Sequence, residues 1–269
     1  MLNVLKEIDL VAYQKKFLES GIRSDGRSDF TTLRHMEVAT GVIGSGVGSA
    51  SCSIGNTRVL AAVKAGVFCF PLDTTLISKQ GKINVSTDLS LKYPGERRLA
   101  QTEGGALSHK LENIITSGGF DFSQLSAWED GPVWDLTIHV VILNDDGSLL
   151  DCALMAAFAA LKTTKLPHLT NDLRIDGSIP AKQLEAGFLP LAFTFCRFEN
   201  QWLIDPSNDE ERAFSKLEVV IRNTKIAGIF GMEGPVDSLV GFDIDEVLNN
   251  LMPLIQKHAP LRIAASLAS

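Results

Sequence analysis

Acidic residues cluster near residue 205, in the segment LIDPSNDEER, and could take part in acid–base or metal chemistry. Asp205 ends an apolar run, and residues 209–211 are all acidic. Carboxylates at the end of a strand can bind Mg²⁺ or act as a general acid. A solvated turn after a strand has the same composition and is the more frequent structure. Asp145, Asp146 and Asp151 allow the same two interpretations.

Basic residues cluster in KYPGERR, ahead of a predicted helix. Lys92, Arg97 and Arg98 could contact the phosphate groups of a nucleic acid. Glu96 and Glu103 dilute this positive charge, and a solvated start of the helix is the alternative interpretation. We treat the three basic residues as candidate nucleic-acid contacts.

The overall charge argues against autonomous nucleic-acid binding. The 269 residues have a formal net charge of −7, and 45% of them are hydrophobic, which is enough for a sizeable core. Proteins that bind nucleic acid alone usually present a basic surface, because phosphate contacts supply much of the affinity. We therefore expect any such contact to be local or shared with partners.

Other chemical motifs are incomplete. The turn GSGVGSA has Ser49 where the dinucleotide fingerprint needs glycine, and a strand pattern follows instead of a helix. The five histidines lack the spacing of metal ligands or of a catalytic triad. The four cysteines, none of them in a CxxC pair, lie in apolar runs, which predicts buried free thiols and no zinc. We predict no metal site and no cofactor.

The N-terminal residues lack the pattern of a signal peptide, and no uncharged apolar run reaches the roughly 18 residues of a membrane span. An intracellular, reducing location without a membrane is the resulting expectation.

Hydrophobic periodicity and turn residues predict two similar groups of elements. A first helix is capped by Asp9 and stopped by Gly21, and a hairpin turn at Gly55-Asn56 joins strands 47–54 and 57–63. A helix over 97–116 and a strand over 133–143 precede an Ala-rich central helix, which Ser148 caps and which ends near Lys162.

After the polar segment 165–185, strands are predicted over 189–198, 201–205, 217–222 and 225–230. A final helix from Asp243, with an apolar face of Val247, Leu248, Leu251 and Ile255, should kink or break at Pro253. The fold class is α+β.

Four motifs in order resemble those of RNase PH-like proteins. They are RSDGRSDFTTLR at 23–34, GSASCSIGNTRVLAAVKA at 48–65, NDDGSLLDCALMAAFAAL at 144–161 and LIDPSNDEER at 203–212. The resemblance implies a duplicated β-α-β-α fold of the kind called ribosomal protein S5 domain 2-like. It divides the chain into an N-terminal helix at 1–22, a first half at 23–165 and a second half at 186–258.

Within that family, the sequence is most similar to catalytically inactive ring subunits of the eukaryotic RNA exosome core. The leading helix of about 20 residues and the VSTDLS segment at 85–90 point to this group. The resemblance implies a six-membered ring around an RNA channel that serves RNA degradation and rRNA processing. The implied partners are other RNase PH-like ring subunits, RNA-binding cap subunits, an associated hydrolytic ribonuclease and RNA. The implied locations are the nucleus, nucleolus and cytoplasm.

Active members hold inorganic phosphate with an arginine at the start of the helix after the D-G pair. Leu150 stands at that position here, and we expect Asp151 beside it to repel phosphate. A second arginine is expected on the preceding helix, but the corresponding stretch EGGALSHKL contains none, and its first lysine is Lys110. Asp205 and Glu211 match the two catalytic acids and are interpreted as vestigial.

These matches predict a structural subunit without catalytic residues of its own. Two alternatives stay open. One is an active phosphorolytic 3′-to-5′ exoribonuclease whose site is shared with a neighbouring subunit. The other is a small-molecule enzyme that uses the glycine-rich turn.

Overall fold

The first half of the chain forms a five-stranded mixed sheet with helices against it. The computed structural model describes residues 6–69, 80–118, 120–128, 131–170, 172–187, 189–223, 225–233 and 244–267. Helix α1 spans Leu10–Glu19, and the strands are β1 Met36–Thr40, β2 Gly48–Ile54, β3 Thr57–Phe68, β4 Lys82–Asp88 and β5 Val133–Asn144. The strand order is β1-β2-β3-β5-β4, and only the β4–β5 pair is parallel. Helix α2 spans Arg97–Thr116, and α3 spans Leu149–Lys162.

The second half forms a four-stranded antiparallel sheet. Its strands are β10 Leu191–Phe198, β11 Gln201–Ile204, β12 Ser215–Arg222 and β13 Lys225–Glu233, in the order β11-β10-β12-β13. The short helix α4 spans Asn208–Ala213, and α5 spans Ile244–Leu267. Between the halves lie two small pairs, β6 Lys165–Leu166 with β9 Lys182–Gln183, and β7 His168–Leu169 with β8 Ile175–Asp176.

Helix α3 is the central helix that its small residues predict. Every residue from 150 to 161 is buried, because the helix packs on β2, β3 and β5 of one sheet and on β10 of the other. Ala and Cys at such positions let the backbones approach closely. Both halves therefore share one core, which includes Ile138, Leu154, Phe193 and Leu251.

Helix α2 covers the free edge of the first sheet. Its Ser108 and Glu112 side chains accept hydrogen bonds from the backbone N–H groups of Thr87 and Val85, at 3.0 Å and 3.3 Å. Unpaired N–H groups on an edge strand are a template for aggregation unless something covers them. The helix therefore completes the β4 edge and lies beside the α3 N-terminus.

A buried ion-pair network joins the DGR segment to the end of β11. Arg23 is fully buried and binds both carboxylate oxygens of Glu210, with nitrogen–oxygen distances of 2.9 Å and 2.5 Å. It also donates to the carbonyl oxygens of Ile204 and Asp205, at 2.9 Å and 3.0 Å. Glu210 accepts from the Ser207 backbone and completes a capping box at the start of α4.

The D-G pair before α3 lies directly against this network. Gly147 has φ +88°, and a Cβ atom there would lie 2.3 Å from the Pro206 carbonyl oxygen, so only glycine fits. Ser148 has φ +54° and makes no capping hydrogen bond with its side chain, contrary to the prediction. Its hydroxyl instead donates to the Pro206 carbonyl oxygen at 3.3 Å, because the two segments pack so closely.

Most predicted elements are confirmed to within a few residues, and besides the Ser148 cap two local predictions, for Leu248 and Cys69, were wrong. Helix α5 does not break at Pro253, one of the two effects predicted for that proline, and the fully buried Leu251 and Ile255 lie on either side of it. Leu248 is 40% exposed, although the predicted apolar face includes it. Cys69, at the end of β3, is exposed, whereas Cys52, Cys152 and Cys196 are buried free thiols as predicted. The predicted start of α5 at Asp243 lies outside the described residues.

Among the described helices, none combines the length and apolar character that crossing a membrane requires.

Replacing Arg23 with methionine should strongly destabilise the protein. The change leaves the Glu210 carboxylate buried without its partner, and such losses cost about 3–5 kcal/mol. Arg212→Met is the matched control, because Arg212 lies on the same helix as Glu210 but is exposed. Urea unfolding at neutral pH measures both, and an equal shift of the two midpoints would contradict the structural role of the pair.

Candidate functional site

A cleft of about 750 Å³ lies between α2, the start of α3, and the β12 strand. Apolar side chains and alternating charges line it. The charged groups are Lys92, Glu103, Lys110, Asp145, Glu211, Arg212, Lys216 and Glu218. The cleft contains the position at which the resemblance places phosphate in active relatives, so its charges decide what it can bind.

Lys92 is neutralised by acids at one end of the cleft. Its Nζ lies 2.8 Å from Asp145 Oδ2 and 3.5 Å from Glu103 Oε2. Burial lowers the pKa of Lys92, but the charge and hydrogen bond of Asp145, together with Tyr93, outweigh burial and raise that pKa far above its ordinary value. Lys92 is therefore a charged group already engaged within the protein.

Lys110 and Lys216 are neutralised in the same way at the other end. Lys110 Nζ donates to Glu218 Oε2 at 2.8 Å, and Lys216 Nζ lies 3.5 Å from Glu218 Oε1. Lys216 also lies 3.4 Å from Glu211 Oε2. Each of these three lysines thus has an internal carboxylate, and the attraction of the cleft for an external anion is correspondingly reduced.

Asp205 does not face the cleft. Its carboxylate is fully buried and binds Arg34, with Oδ1 2.7 Å from Nη2 and Oδ2 3.1 Å from Nε. Arg34 also donates its backbone N–H to Oδ2 at 2.7 Å, and its guanidinium to the Asp146 carbonyl oxygen at 2.6 Å. Burial would raise the pKa of Asp205, but the hydrogen bonds and charge of Arg34 hold it far below its ordinary value. A carboxylate so bound neither donates a proton at neutral pH nor has free oxygens for a metal.

Glu211 lines the cleft, and its pKa is shifted in the opposite direction from that of Asp205. Its Oε1 accepts a hydrogen bond from the Ser148 backbone N–H at 2.6 Å. Burial raises the pKa of Glu211 to about 7, and Lys216 and the Ser148 N–H offset only part of that effect. Asp205 and Glu211 therefore have different partners, Arg34 for Asp205 and the Ser148 N–H and Lys216 for Glu211. No group of three or more metal-ligating side chains occurs in the part of the chain that the structure describes.

The expected role of Asp151 was wrong. The residue is buried, and its carboxylate accepts from the Thr194 hydroxyl at 2.8 Å and lies 3.2 Å from Arg262 Nη2. Burial raises the pKa of Asp151 to about 6, although Arg262 opposes that shift. Asp151 points into the core, because α3 packs on β10 on that side, so it cannot repel an ion in the cleft. Leu150 is buried and lines the cleft without a hydrogen-bond donor, as its type predicts.

The structure places the three candidate basic residues in two different surroundings. Lys92 lies in the cleft with its acids, whereas Arg97 and Arg98 are exposed at the first turn of α2. Within the described residues, neither arginine belongs to an ion pair. His109 is exposed on α2, and the glycine-rich turn leads into β2, as the strand pattern after the turn predicts.

Sequence reasoning missed the residues that control the cleft charges. Glu218 was detectable as a single acid within the apolar strand KLEVVI, and Lys216 lies on the same face two residues earlier. The contact between Glu218 and Lys110 could not be predicted from local sequence, because 108 positions separate the two residues.

Comparison with known proteins agrees with the geometry. Residues 32–167 match the 3′ exoribonuclease family, domain 1, and residues 189–249 match domain 2 of the same family. The chain is 30% identical over 240 residues to the exosome complex component Rrp42 of Methanosarcina acetivorans, covering 85% of each protein. It is 27% identical over 232 residues to the exosome complex component rrp43 of Schizosaccharomyces pombe, covering 82% of this chain and 83% of that protein.

A solved structure shares the whole fold. The Archaeoglobus fulgidus exosome with RNA bound to the active site contains a chain that is 27% identical, with a TM-score of 0.76. The match covers 97% of this chain and 99% of that chain. With both family domains matched in order over most of its length, the chain belongs to the 3′ exoribonuclease (RNase PH-like) family.

Proposed function

We propose that this protein is a non-catalytic subunit of an RNA exosome ring, with a structural role and RNA contacts on the channel side. The observation that supports this proposal best is the cleft, in which Lys92, Lys110 and Lys216 are each neutralised by an internal acid. The relatives named as exosome components, and the related exosome with bound RNA, support the assembly.

Phosphorolysis needs a bound phosphate that is oriented against the RNA backbone, and an acid that assists the leaving oxygen. Leu150 offers no donor at the start of α3, and the lysines nearby are already paired. Asp205 is held by Arg34 as a buried carboxylate. The cleft therefore offers no free anion site, and its acid with a raised pKa, Glu211, is engaged by the Ser148 N–H and Lys216. A ring role needs neither an anion site nor an acid.

The same proposal extends to partners and location. The partners are other RNase PH-like subunits, RNA-binding cap subunits, an associated hydrolytic ribonuclease and RNA. The ring is of the eukaryotic type, in the nucleus, nucleolus and cytoplasm, and the leading helix α1 supports this assignment. Exposed apolar side chains such as Phe68, Leu91 and Ile175 suit a protein that buries surface on neighbours.

Purified chain should not shorten RNA. Incubated with end-labelled single-stranded RNA, Mg²⁺ and phosphate, it should release no nucleoside diphosphates, because no phosphate is oriented in its cleft. In the reconstituted ring, Asp205→Asn should leave the RNA-degrading rate per assembled complex unchanged while it lowers the unfolding temperature of the subunit. Release of diphosphates that stops in Asp205→Asn would support the interface-shared phosphorolytic enzyme instead.

Arg97→Gln combined with Arg98→Gln should weaken RNA protection by the assembled ring. Two lost phosphate contacts should also reduce the slope of log K against log salt by about 1.4 for single-stranded RNA. Lys92→Gln is the control, and it should change RNA protection little because Lys92 is engaged by Asp145. Filter binding of a labelled RNA at several salt concentrations measures the three proteins. Equal RNA protection and an equal salt slope in the double variant and the Lys92→Gln variant would contradict RNA binding by the start of α2.

The isolated chain should be poorly soluble or should self-associate, and co-expression with RNase PH-like partners should rescue it. Size-exclusion chromatography with light scattering measures the state of each preparation. Tagged chain recovered from nuclear, nucleolar and cytoplasmic fractions should bring the ring and cap subunits with it. A monodisperse monomer with no affinity for such partners would refute the ring assignment.

A further inference from the structure

Glu218 occupies an unusual position between two lysines from different elements. Its carboxylate oxygens lie 2.8 Å from Lys110 Nζ on α2 and 3.5 Å from Lys216 Nζ on its own strand. The Glu218 side chain is only 6% exposed, whereas the Lys110 side chain is 27% exposed and faces the cleft. One oxygen atom is thus directed to each ammonium group, which is how a phosphate oxyanion bridges two lysines.

The position matters because a carboxylate in the floor of a cleft competes with any external anion. Two ammonium groups around one site attract a doubly charged oxyanion, and limited access of water strengthens that attraction. A fixed internal carboxylate has no association entropy to lose, so it wins over dissolved phosphate. Arg212 also lines this cleft, and Glu211 lies on the other side of Lys216.

We propose that Glu218 is an internal substitute for an anion, and that it blocks a latent site for phosphate-type oxyanions formed by Lys110 and Lys216. This inference rests on the proposed function, in which the cleft does not bind phosphate. It adds that one residue, Glu218, prevents the cleft lysines from binding phosphate. Leu150 explains only a missing donor, whereas Glu218 explains why the lysines that are present do not compensate for it.

Replacing Glu218 with glutamine should create phosphate binding. The amide keeps the size of the side chain but removes the competing charge, so Lys110 loses its carboxylate partner. We expect affinity for inorganic phosphate at pH 7 to rise roughly tenfold over the unchanged protein, equal to about 1.4 kcal/mol. Isothermal titration with inorganic phosphate, and the rise of the unfolding temperature with phosphate concentration, measure the change.

Three further variants isolate the cause. Glu218→Gln combined with Lys110→Met should lose the gain, because the main ammonium group is gone. Glu37→Gln removes the same charge from an exposed position on β1 and should gain nothing. If Glu218→Gln does not fold, as far-UV circular dichroism would show, Glu218→Thr replaces it, since threonine favours strands.

The outcomes separate this inference from the proposed function. Equal phosphate affinity of folded Glu218→Gln and the unchanged protein would overturn the blocking role of Glu218 and leave the non-catalytic assignment intact. Phosphate binding by the unchanged protein that disappears in Lys110→Met would overturn the inference, and diphosphate release from RNA would separately overturn the proposed function. A gain for a short single-stranded RNA without a gain for inorganic phosphate would also contradict the inference, because the site would then not recognise the free oxyanion.

Discussion

The structure depends on the contact between the DGR segment and the end of β11, where two arginines hold two buried acids. Arg23 binds Glu210, Arg34 binds Asp205, and both arginines also donate to backbone carbonyls nearby. The desolvation cost of buried charges is offset only when each one has good hydrogen-bond geometry. Here the pairing fixes the first half of the chain against the second and fixes the turn that begins α3. The cleft is shaped by the same contact, because its lining starts at that turn.

This constraint gives the two acids of the acidic motif different surroundings. A general acid needs a pKa near the working pH and contact with the reacting atoms. Asp205 has neither, because Arg34 holds its charge in the interior. Glu211 has the raised pKa but is directed to the Ser148 backbone and to Lys216. The two acids look equivalent in the sequence, and their surroundings give them opposite protonation behaviour.

Much of the fold could be predicted from local signals, and much of the site could not. The helix over 97–116 and the hairpin at Gly55-Asn56 follow from periodicity and turn residues. The side to which Asp151 points could not be predicted from such signals. All of α3 from 150 to 161 is buried, so no exposed face distinguishes the side that faces the core from the side that faces the cleft. The left-handed backbone of Asp205, with φ +53°, is imposed by contacts with Arg34 and Arg27, which are distant in sequence.

Pairs of opposite charges that are far apart in the sequence therefore set the properties of the cleft that the family fold alone does not determine. The family motifs place Leu150 and two acids, and they leave open whether the surrounding lysines could still bind an anion. The structure gives every cleft lysine an acid that comes from another element: Asp145 for Lys92, Glu218 for Lys110 and Glu211 for Lys216. Such pairs add little stability where water reaches them, since exposed ion pairs contribute about 0–1 kcal/mol. Their main physical consequence is that acids largely cancel the positive field of the cleft lysines, which fits the proposed structural ring subunit better than a phosphorolytic enzyme.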